Sequence, residues 1–270
     1  MNFKIRRLFY KIPGLHSLLM RIRTIQNNAF FCKINKHNYM TIKLKALKDS
    51  ASNKRCFIVG NGPSLTMSDL DLIRDEDCFA SNLIFKIFDR TQWRPKYYFI
   101  QDPYADIGNG LESFPSSTKK FYADSFLRVH KDKKTDDIFC FKTKRCYKEV
   151  KFSSDFSKEV FSHYTITYTM IQAAVYFGYK EIVLLGIDHN YALTVDSKGR
   201  VIENKDVISH AFADKNPKEV VANIEGMNAA YIKARDILST KGVKVFNSTR
   251  GGKLEWFPRK KLEDLLKDES

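Results

Sequence analysis

The segment Gly60-Asn61-Gly62-Pro63-Ser64 follows the apolar run Cys56-Phe57-Ile58-Val59 and precedes a helix-like stretch at 65–73. Glycines at a strand-to-helix junction let backbone N–H groups approach a phosphate, and the positive end of the following helix attracts the anion. The segment has neither the G-x-x-x-x-G-K-[ST] of a P-loop nor the third glycine of the dinucleotide fingerprint. Ser64 is equally placed to act as the helix N-cap. A second polar junction, Gly186-Ile187-Asp188, ends the run Glu181-Ile182-Val183-Leu184-Leu185 and leads into His189, Asn190 and Tyr191. A third, Asn247-Ser248-Thr249, precedes Arg250-Gly251-Gly252. Its amide and small hydroxyls suit closure over a nucleotide base or ribose, and a plain turn accounts for them as well. Arg250 brings a planar fork that pairs with anionic oxygens. His189 and His210 supply imidazoles, whose ordinary pKa of ~6.5 fits a general base.

These junctions need strands to position them. Apolar runs at 56–59, 78–80, 96–100, 181–185 and 243–246 read as short buried strands. They end at Asn61, Asn82, Gln101-Asp102, Asp188 and Asn247 respectively. Open parallel sheets bind ligands outside the carboxyl ends of their strands, so parallel pairing would gather these positions on one rim. Turn chemistry alone also favours Asn, Asp and Gly at each of them. Between the strands, 167–177 is apolar on most sides, as a buried helix is, and Gly178 ends it. Val220, Ile224, Met227, Tyr231 and Leu238 mark one face of a helix over 220–238. Residues 190–217 are a long polar connection and a candidate lid. Residues 115–160 are polar, aromatic and irregular, and their pattern predicts no element order. The expected fold class is therefore α/β, a Rossmann-like, mostly parallel sheet flanked by helices.

Composition narrows the partners. Hydrophobic residues are 43% of the 270, enough for a real core, and the net charge is +15. Eleven of those 15 charges lie before Asp49, where no acidic residue occurs at all. In residues 3–12 Ile5, Leu8, Phe9 and Ile12 repeat at helical spacing among Lys4, Arg6, Arg7 and Lys11. Pro13-Gly14 interrupts, and Leu15, Leu18, Leu19 and Ile22 resume beside Arg21 and Arg23. A cationic amphipathic helix of this kind lies in the headgroup layer of an anionic membrane. An extra helix packed on the domain, with its basic face solvated, is the structural alternative. Single-stranded nucleic acid fits less well, because the basic residues alternate with Leu and Ile more than with stacking aromatics. No apolar run approaches the ~20 residues of a membrane span, and no secretory signal is legible. The five cysteines show no C-x-x-C spacing and support neither a disulfide framework nor a zinc site. The expected location is the cytoplasm, peripheral on the inner membrane, with 1–50 as a membrane-associating extension and 51–270 as the catalytic domain.

Val59-Gly60-Asn61-Gly62-Pro63-Ser64-Leu65, together with Gly178-Tyr179-Lys180-Glu181-Ile182 and Leu185-Gly186-Ile187-Asp188, resembles the bacterial lipooligosaccharide sialyltransferases that use CMP-sialic acid. With Asn247-Ser248-Thr249-Arg250-Gly251-Gly252-Lys253-Leu254-Glu255 the same signatures also resemble the wider MptE-like domain family. That family includes a pterin diphosphokinase and proteins of surface-polysaccharide and flagellin glycosylation. The resemblance spans roughly residues 54–257. It implies a variant α/β nucleotide-sugar fold that needs no metal and no cofactor beyond a CMP-sugar donor. Together with the junctions read above, the expected donor contacts are Gly60, Asn61, Gly62, Ser64, Asn82, Gln101, Asp102, Thr165, Thr167, Gly186, Asn190, Asn247, Ser248 and Thr249. Where the family has an Asn before a Pro, this chain has Asp102. Where it has a nucleotide-contacting Ser/Thr, this chain has Ile166, with Thr165 and Thr167 beside it. For the family's two donor-phosphate tyrosines only Tyr191 is near, because the aligned position is Asn190. The family's base is a lid His. Ser209-His210-Ala211-Phe212 resembles that stretch, although the ungapped alignment puts Asp214 at the position.

The expected activity is transfer of sialic acid or a related nonulosonic acid from the CMP donor to a cell-surface glycan or glycolipid acceptor, with inversion. His210, Tyr191 and Asp188 are its catalytic candidates. Asp188 and Asp102 could instead hold a metal, but no D-x-D pair of the usual nucleotide-sugar kind is visible. A diphosphokinase moving pyrophosphate from ATP, and a non-catalytic basic scaffold on a membrane or RNA, are the alternatives. Oligomeric state is left open, a homo-oligomer included.

Overall fold

The computed structural model describes residues 15–51, 54–105, 107–134, 136–144, 146, 149–195, 200–204, 206 and 221–267. In chain order these form α1 (Leu15–Ile34), α2 (Tyr39–Lys45), β1 (Arg55–Val59), α3 (Met67–Leu72), β2 (Cys78–Ser81) and β3 (Tyr97–Ile100). Next come β4 (Lys119–Ala123), α4 (Asp124–Val129), β5 (Ile138–Phe141), β6 (Thr143–Lys144), β7 (Val160–Phe161) and α5 (Ile166–Phe177). The chain continues with β8 (Glu181–Leu185), β9 (Leu193–Val195), β10 (Val201–Glu203), α6 (Ile224–Thr240), β11 (Lys244–Asn247) and α7 (Leu262–Lys267).

Seven strands build one sheet in the order β11-β8-β1-β2-β3-β4-β5. Every adjacent pair is parallel. This is the α/β Rossmann-like fold that the strand pattern predicts. Parallel strands are covered on both faces, which explains why Cys56, Phe57, Ile58 and Val59 are all 0% exposed. From β1 the chain builds outward to β5, then returns to lay β8 on the other side of β1. The strand order therefore reverses at the β1–β8 pair, the position where open α/β sheets hold their ligands.

The high aromatic content has a structural use. Phe79 pairs in register with Tyr97, and Phe99 with Phe121, which in turn pairs with Phe139. Their rings form a ladder across four strands, with Phe99 and Phe121 stacked at 4.5 Å and Phe121 and Phe139 at 4.7 Å. Phe177 of α5 closes on this row at 5.7 Å from Phe121 and 5.9 Å from Phe79. Helix α5 is buried on nearly every side. Thr165 caps its N-terminus by accepting the Thr167 N–H, and Gly178, at φ +97°, ends it in the left-handed region that favours glycine.

Several expectations need correction. The N-cap of α3 is Thr66, not Ser64. Thr66 Oγ1 accepts the Asp69 N–H, and Asp69 Oδ2 accepts the Thr66 N–H, a reciprocal capping box. Helix α6 begins at Ile224 because Asn223 Oδ1 accepts the Gly226 N–H; Val220 lies outside the described residues. Met227, Tyr231 and Leu238 face the core with Ala230 and Ala234. The described residues of 115–160 are not irregular throughout. They carry β4, α4, β5, β6 and β7, each too short to show a period. Part of the 190–217 connection is an antiparallel pair, β9 with β10. It is tied to Ala222, whose N–H donates to Leu193 O.

Helices α1 and α2 pack beside the β5 edge. Phe31, Met40, Leu44 and Leu47 join the core. Arg128 of α4 donates to Asn27, and Arg23 to Tyr104. Lys43 Nζ donates to the carbonyls of Asp136 and Ile138 at 2.7 Å each, which helps cover the exposed edge of β5. No described helix is long and apolar enough to cross a membrane. Cys56, Cys78 and Cys140 are buried free thiols, and Cys32 is exposed.

Candidate functional site

The β1 and β8 ends are locked together. The Gly60 N–H donates to Leu185 O at 2.8 Å and the Gly62 N–H to Gly186 O at 2.9 Å, which extends the ladder beyond both strands. A Cβ on Gly60 would lie 2.3 Å from Gly186 O, and one on Gly62 would lie 1.7 Å from Asp188 Oδ2. Close approach of the two motifs is thus what requires these glycines. The predicted phosphate cradle does not form from their N–H groups, because one already donates to the last residue of β8 and the other to the loop that follows it. Ser64 Oγ donates to Asp188 Oδ2 at 2.7 Å, so these two predicted residues meet as partners. Gly186 itself sits at φ +66°. The Lys253 N–H donates to Asp188 O at 2.7 Å, and a Cβ on Gly252 would come within 2.7 Å of that oxygen.

Asn247, Ser248 and Thr249 are brought to the same rim but are fully engaged. Asn247 Nδ2 donates to Leu254 O, and its Oδ1 accepts the Thr249 N–H. Ser248 Oγ donates to Lys260 O. Thr249 Oγ1 accepts the Ile187 N–H. All three are buried. The turn reading therefore describes their bonds, and they act by holding the β8 loop. Arg250 pairs with the buried Asp69 and with Glu263, so its fork is committed within the protein.

The other side of the switch point is different. Asn61 Nδ2 donates to Ser81 O at 3.1 Å, reaching from the end of β1 to the end of β2. That bond fixes its orientation, leaving Asn61 Oδ1 buried with no partner among the described residues. Asn82 follows Ser81 at φ +53°, held by its N–H to Phe99 O and by the Tyr98 hydroxyl on its carbonyl. Its Oδ1 is also buried, with no partner among the described residues. Two adjacent strand ends thus carry bare amide acceptors. Buried polar atoms are nearly always bonded, so each such exception calls for an explanation.

Further along the rim, Gln101 Oε1 accepts the Thr169 hydroxyl at 2.7 Å. Asp102 is exposed and closes a turn by accepting the Tyr104 N–H. β3 and β8 are three strand spacings apart, about 14 Å. Among the described residues no group of three or more His, Cys, Asp or Glu is placed to hold a metal ion. Asp124, unread in the sequence, stands at the end of β4. Its Oδ1 accepts from Ser125 N, Thr143 N and Thr143 Oγ1, while Oδ2 is buried with no partner among the described residues. Burial raises its pKa against the pull of those hydrogen bonds. The signal was present, since Phe121-Tyr122-Ala123-Asp124 repeats the apolar-run-then-Asp pattern of the other strand ends.

Above β8 a second cluster forms at the N-terminus of α5. Tyr231 OH lies 3.4 Å from Thr165 Oγ1, and Thr167 is buried beside it. His189 stands edge-on to Tyr231 at 5.5 Å and to Tyr191 at 6.1 Å. Burial first, then the neighbouring Tyr231 and Asp188, raise the Tyr191 phenol well above its usual value. Trp256 Nε1, which can only donate, bonds Asn228 Oδ1 at 3.0 Å. That atom is therefore oxygen, and His189 Nε2, 2.8 Å away, must carry the proton. His189 Nδ1 is left as a buried lone pair with no partner among the described residues. Desolvation lowers the pKa of this imidazole, so it stays neutral. Its backbone is at φ +52°, uncommon for a residue with a side chain. Asn190 lies half-buried between His189 and Tyr191. His210 and Asp214 fall outside the described residues.

A family model described as 6-hydroxymethylpterin diphosphokinase MptE-like matches residues 24–194. None of the curated proteins matches. Among solved structures, the MAf glycosyltransferase of Magnetospirillum magneticum AMB-1 is similar at a TM-score of 0.53 and 15% identity, over 86% of this chain and 40% of that one. The match thus takes in 40% of the length of that protein, and the likeness is one of fold. The sialyltransferase CstII of Campylobacter jejuni, in complex with the substrate analogue cytidine-5'-monophosphate, aligns at a TM-score of 0.44 and 18% identity, over 77% of this chain and 85% of that one. The family match covers both β1 and β8 and the loops that lock them together, and on that match the chain belongs to the MptE-like family.

Proposed function

We propose that this protein is a glycosyltransferase that uses a nucleotide-activated sugar, with CMP as the nucleotide and sialic acid or a related nonulosonic acid as the sugar. The observation that carries a nucleotide site is the pair of bare, buried amide oxygens on Asn61 and Asn82 at the switch point. An unsatisfied buried acceptor costs about 1–3 kcal/mol, which a ligand hydroxyl or amine would relieve. Ribose hydroxyls and the exocyclic amine of cytosine are donors of that kind. The choice of CMP and of the sugar rests on the motif resemblance alone.

In the proposed reaction a base takes the proton of the acceptor hydroxyl, and the oxygen attacks the anomeric carbon from the face opposite the phosphate. The bond to phosphate breaks with its electrons and CMP departs. His210 is the base in this reading. Tyr191 stands beside His189 and near Asp188, where a phenol that keeps its proton can donate to the leaving phosphate. A glycan or glycolipid at the cell surface is the acceptor.

A thermal-shift panel of CMP, CDP, UDP and ATP, each with and without Mg²⁺, tests the donor. CMP stabilisation independent of Mg²⁺ is the expected result, followed by acceptor-dependent CMP release from the activated sugar. No stabilisation by CMP would refute the reading. The description of the matching family favours a second reading, transfer of pyrophosphate from ATP. In that case ATP with Mg²⁺ stabilises the protein and CMP does not.

A further inference from the structure

Helix α1 has apolar residues on two opposite sides. One side is packed: Phe31 is buried, Phe30 and Ile34 rest on the core, and Arg23 and Asn27 bond to Tyr104 and Arg128. The other side is not covered. Leu18, Ile22, Ile25, Ala29 and Cys32 fall at i, i+4, i+7, i+11 and i+14, which at 3.6 residues per turn is one narrow stripe. Leu18 is 54% exposed, Ile22 42% and Ile25 67%, and Ala29 and Cys32 are exposed too. The stripe is about 21 Å long at 1.5 Å per residue. Arg21 and Lys33 lie along its two flanks.

The stripe runs toward a cationic hollow. A cavity of about 520 Å³ opens between the end of α1 and the start of α2, lined by Lys33, Ile34, Lys36, His37, Tyr39 and Lys134. No acidic residue lines it. Among the described residues Lys33, Lys36 and Lys134 make no ion pair. Tyr39 and Ile42, on the next helix, are 46% and 59% exposed.

We propose that α1 is an interfacial helix that lies on an anionic lipid bilayer. The stripe from Leu18 to Cys32 enters the headgroup–acyl boundary, and the Lys33–Lys36–Lys134 hollow receives lipid phosphate. Charge selects this occupant. A second copy seated on the stripe would place Arg21 and Lys33 against their own counterparts, in a segment without acidic residues before Asp49. A membrane with anionic lipid offers the opposite sign, and each basic residue near its surface adds to binding. An apolar stripe with basic flanks is the pattern of helices that lie in the interface plane. The inference rests on the surface of α1 and α2 and is independent of the proposed reaction.

Co-sedimentation of the full chain with vesicles tests it, comparing phosphatidylcholine alone with phosphatidylcholine plus phosphatidylglycerol. Binding only to the anionic vesicles is expected. The Ile22→Glu/Ile25→Glu variant, altered at exposed positions, should lose that binding at least about tenfold. Lys33→Gln/Lys36→Gln should lose it about fivefold per lysine. Both should melt like the parent chain; Ile25→Ser serves in place of the double Glu variant if that one does not fold. Equal binding to neutral vesicles, or unchanged binding by the stripe variants, would overturn the proposal. So would a dimer in light scattering that the stripe variants dissociate, since the stripe would then be an interface between copies.

Discussion

Adding one methyl group at Gly62 should damage the molecule more than its size suggests. A Cβ there would stand 1.7 Å from Asp188 Oδ2, 2.6 Å from Asp188 Cγ and 2.7 Å from Gly186 O. Asp188 cannot simply swing away, because it accepts the Ser64 hydroxyl and its carbonyl is clasped by Lys253 N. Overpacking of this kind costs about 1–3 kcal/mol. Loss of the charge-assisted Ser64–Asp188 bond adds about 1.5 kcal/mol. Gly62→Ala should therefore cost about 3 kcal/mol, or roughly 6–12 °C of melting temperature for a chain of this size. Gly242→Ala is the control. Gly242 is at φ +63° with nothing within 4 Å of its Cβ position, so only backbone strain of about 1 kcal/mol applies. Equilibrium urea denaturation measures both. In an Asp188→Ala background the Gly62→Ala cost should fall by about 1–2 kcal/mol, since the carboxylate clash is gone and the Gly186 oxygen remains. If Gly62→Ala is no worse than Gly242→Ala, the two motifs are not in the contact described.

Other outcomes follow from the same geometry. Asn61→Ala removes a bare acceptor and a bond to Ser81, so the free protein should lose about 1 kcal/mol or less while nucleotide-induced stabilisation is abolished; retained stabilisation in the thermal-shift panel would count against Asn61 as a ligand contact. Burial lowers the pKa of His163 and of His189. Their contribution is thus complete above the unfolded value near ~6.5 and is lost as pH falls through the lowered folded values. Chemical denaturation from about pH 7 to about pH 5 should show that decline, and His189→Gln should flatten part of it. Phe121→Ala cuts the aromatic ladder at its centre and should cost about 3–5 kcal/mol by urea denaturation. Thr66→Ala should cost about 1 kcal/mol as loss of a helix cap, a figure that Ser64→Ala reaches only by losing its bond to Asp188.

Apolar runs bounded by Gly, Asn and Asp were enough to read β1, β2, β3, β8 and β11, and with them the parallel α/β class. Helix α5 was legible because it is apolar on nearly every side and ends at Gly178. The stretch holding β4 and β5 was not, since β4 opens with Lys119-Lys120 and β5 has only four residues. Their pairing is decided by the ring ladder, a long-range contact that no local period reports. The rim itself was anticipated: Asn61, Asn82, Asp188 and Asn247 do end neighbouring strands. What each side chain does there was hidden. Asn61 and Asn247 are both Asn at strand ends, yet one keeps a bare oxygen and the other is satisfied at both ends. The difference lies in the turn after Asn247, which brings the Thr249 N–H and the Leu254 carbonyl within reach of its side chain. His189 was visible as a residue, but its tautomer depends on Trp256, 67 positions away in the sequence.

The clasp on Asp188 also bears on when the rim can exist. Its parts come from Lys253 and from Thr249, which holds Ile187 N, and β11 pairs directly with β8. During synthesis the β1 motif leaves the ribosome long before these residues. Gly60 and Gly62 must wait for 185–186, and those in turn for 249–253. A nascent chain that has completed α6 but not β11 should hold most of its core and no finished rim. Arrested chains of increasing length, probed with nucleotide, would show the rim closing in one late step.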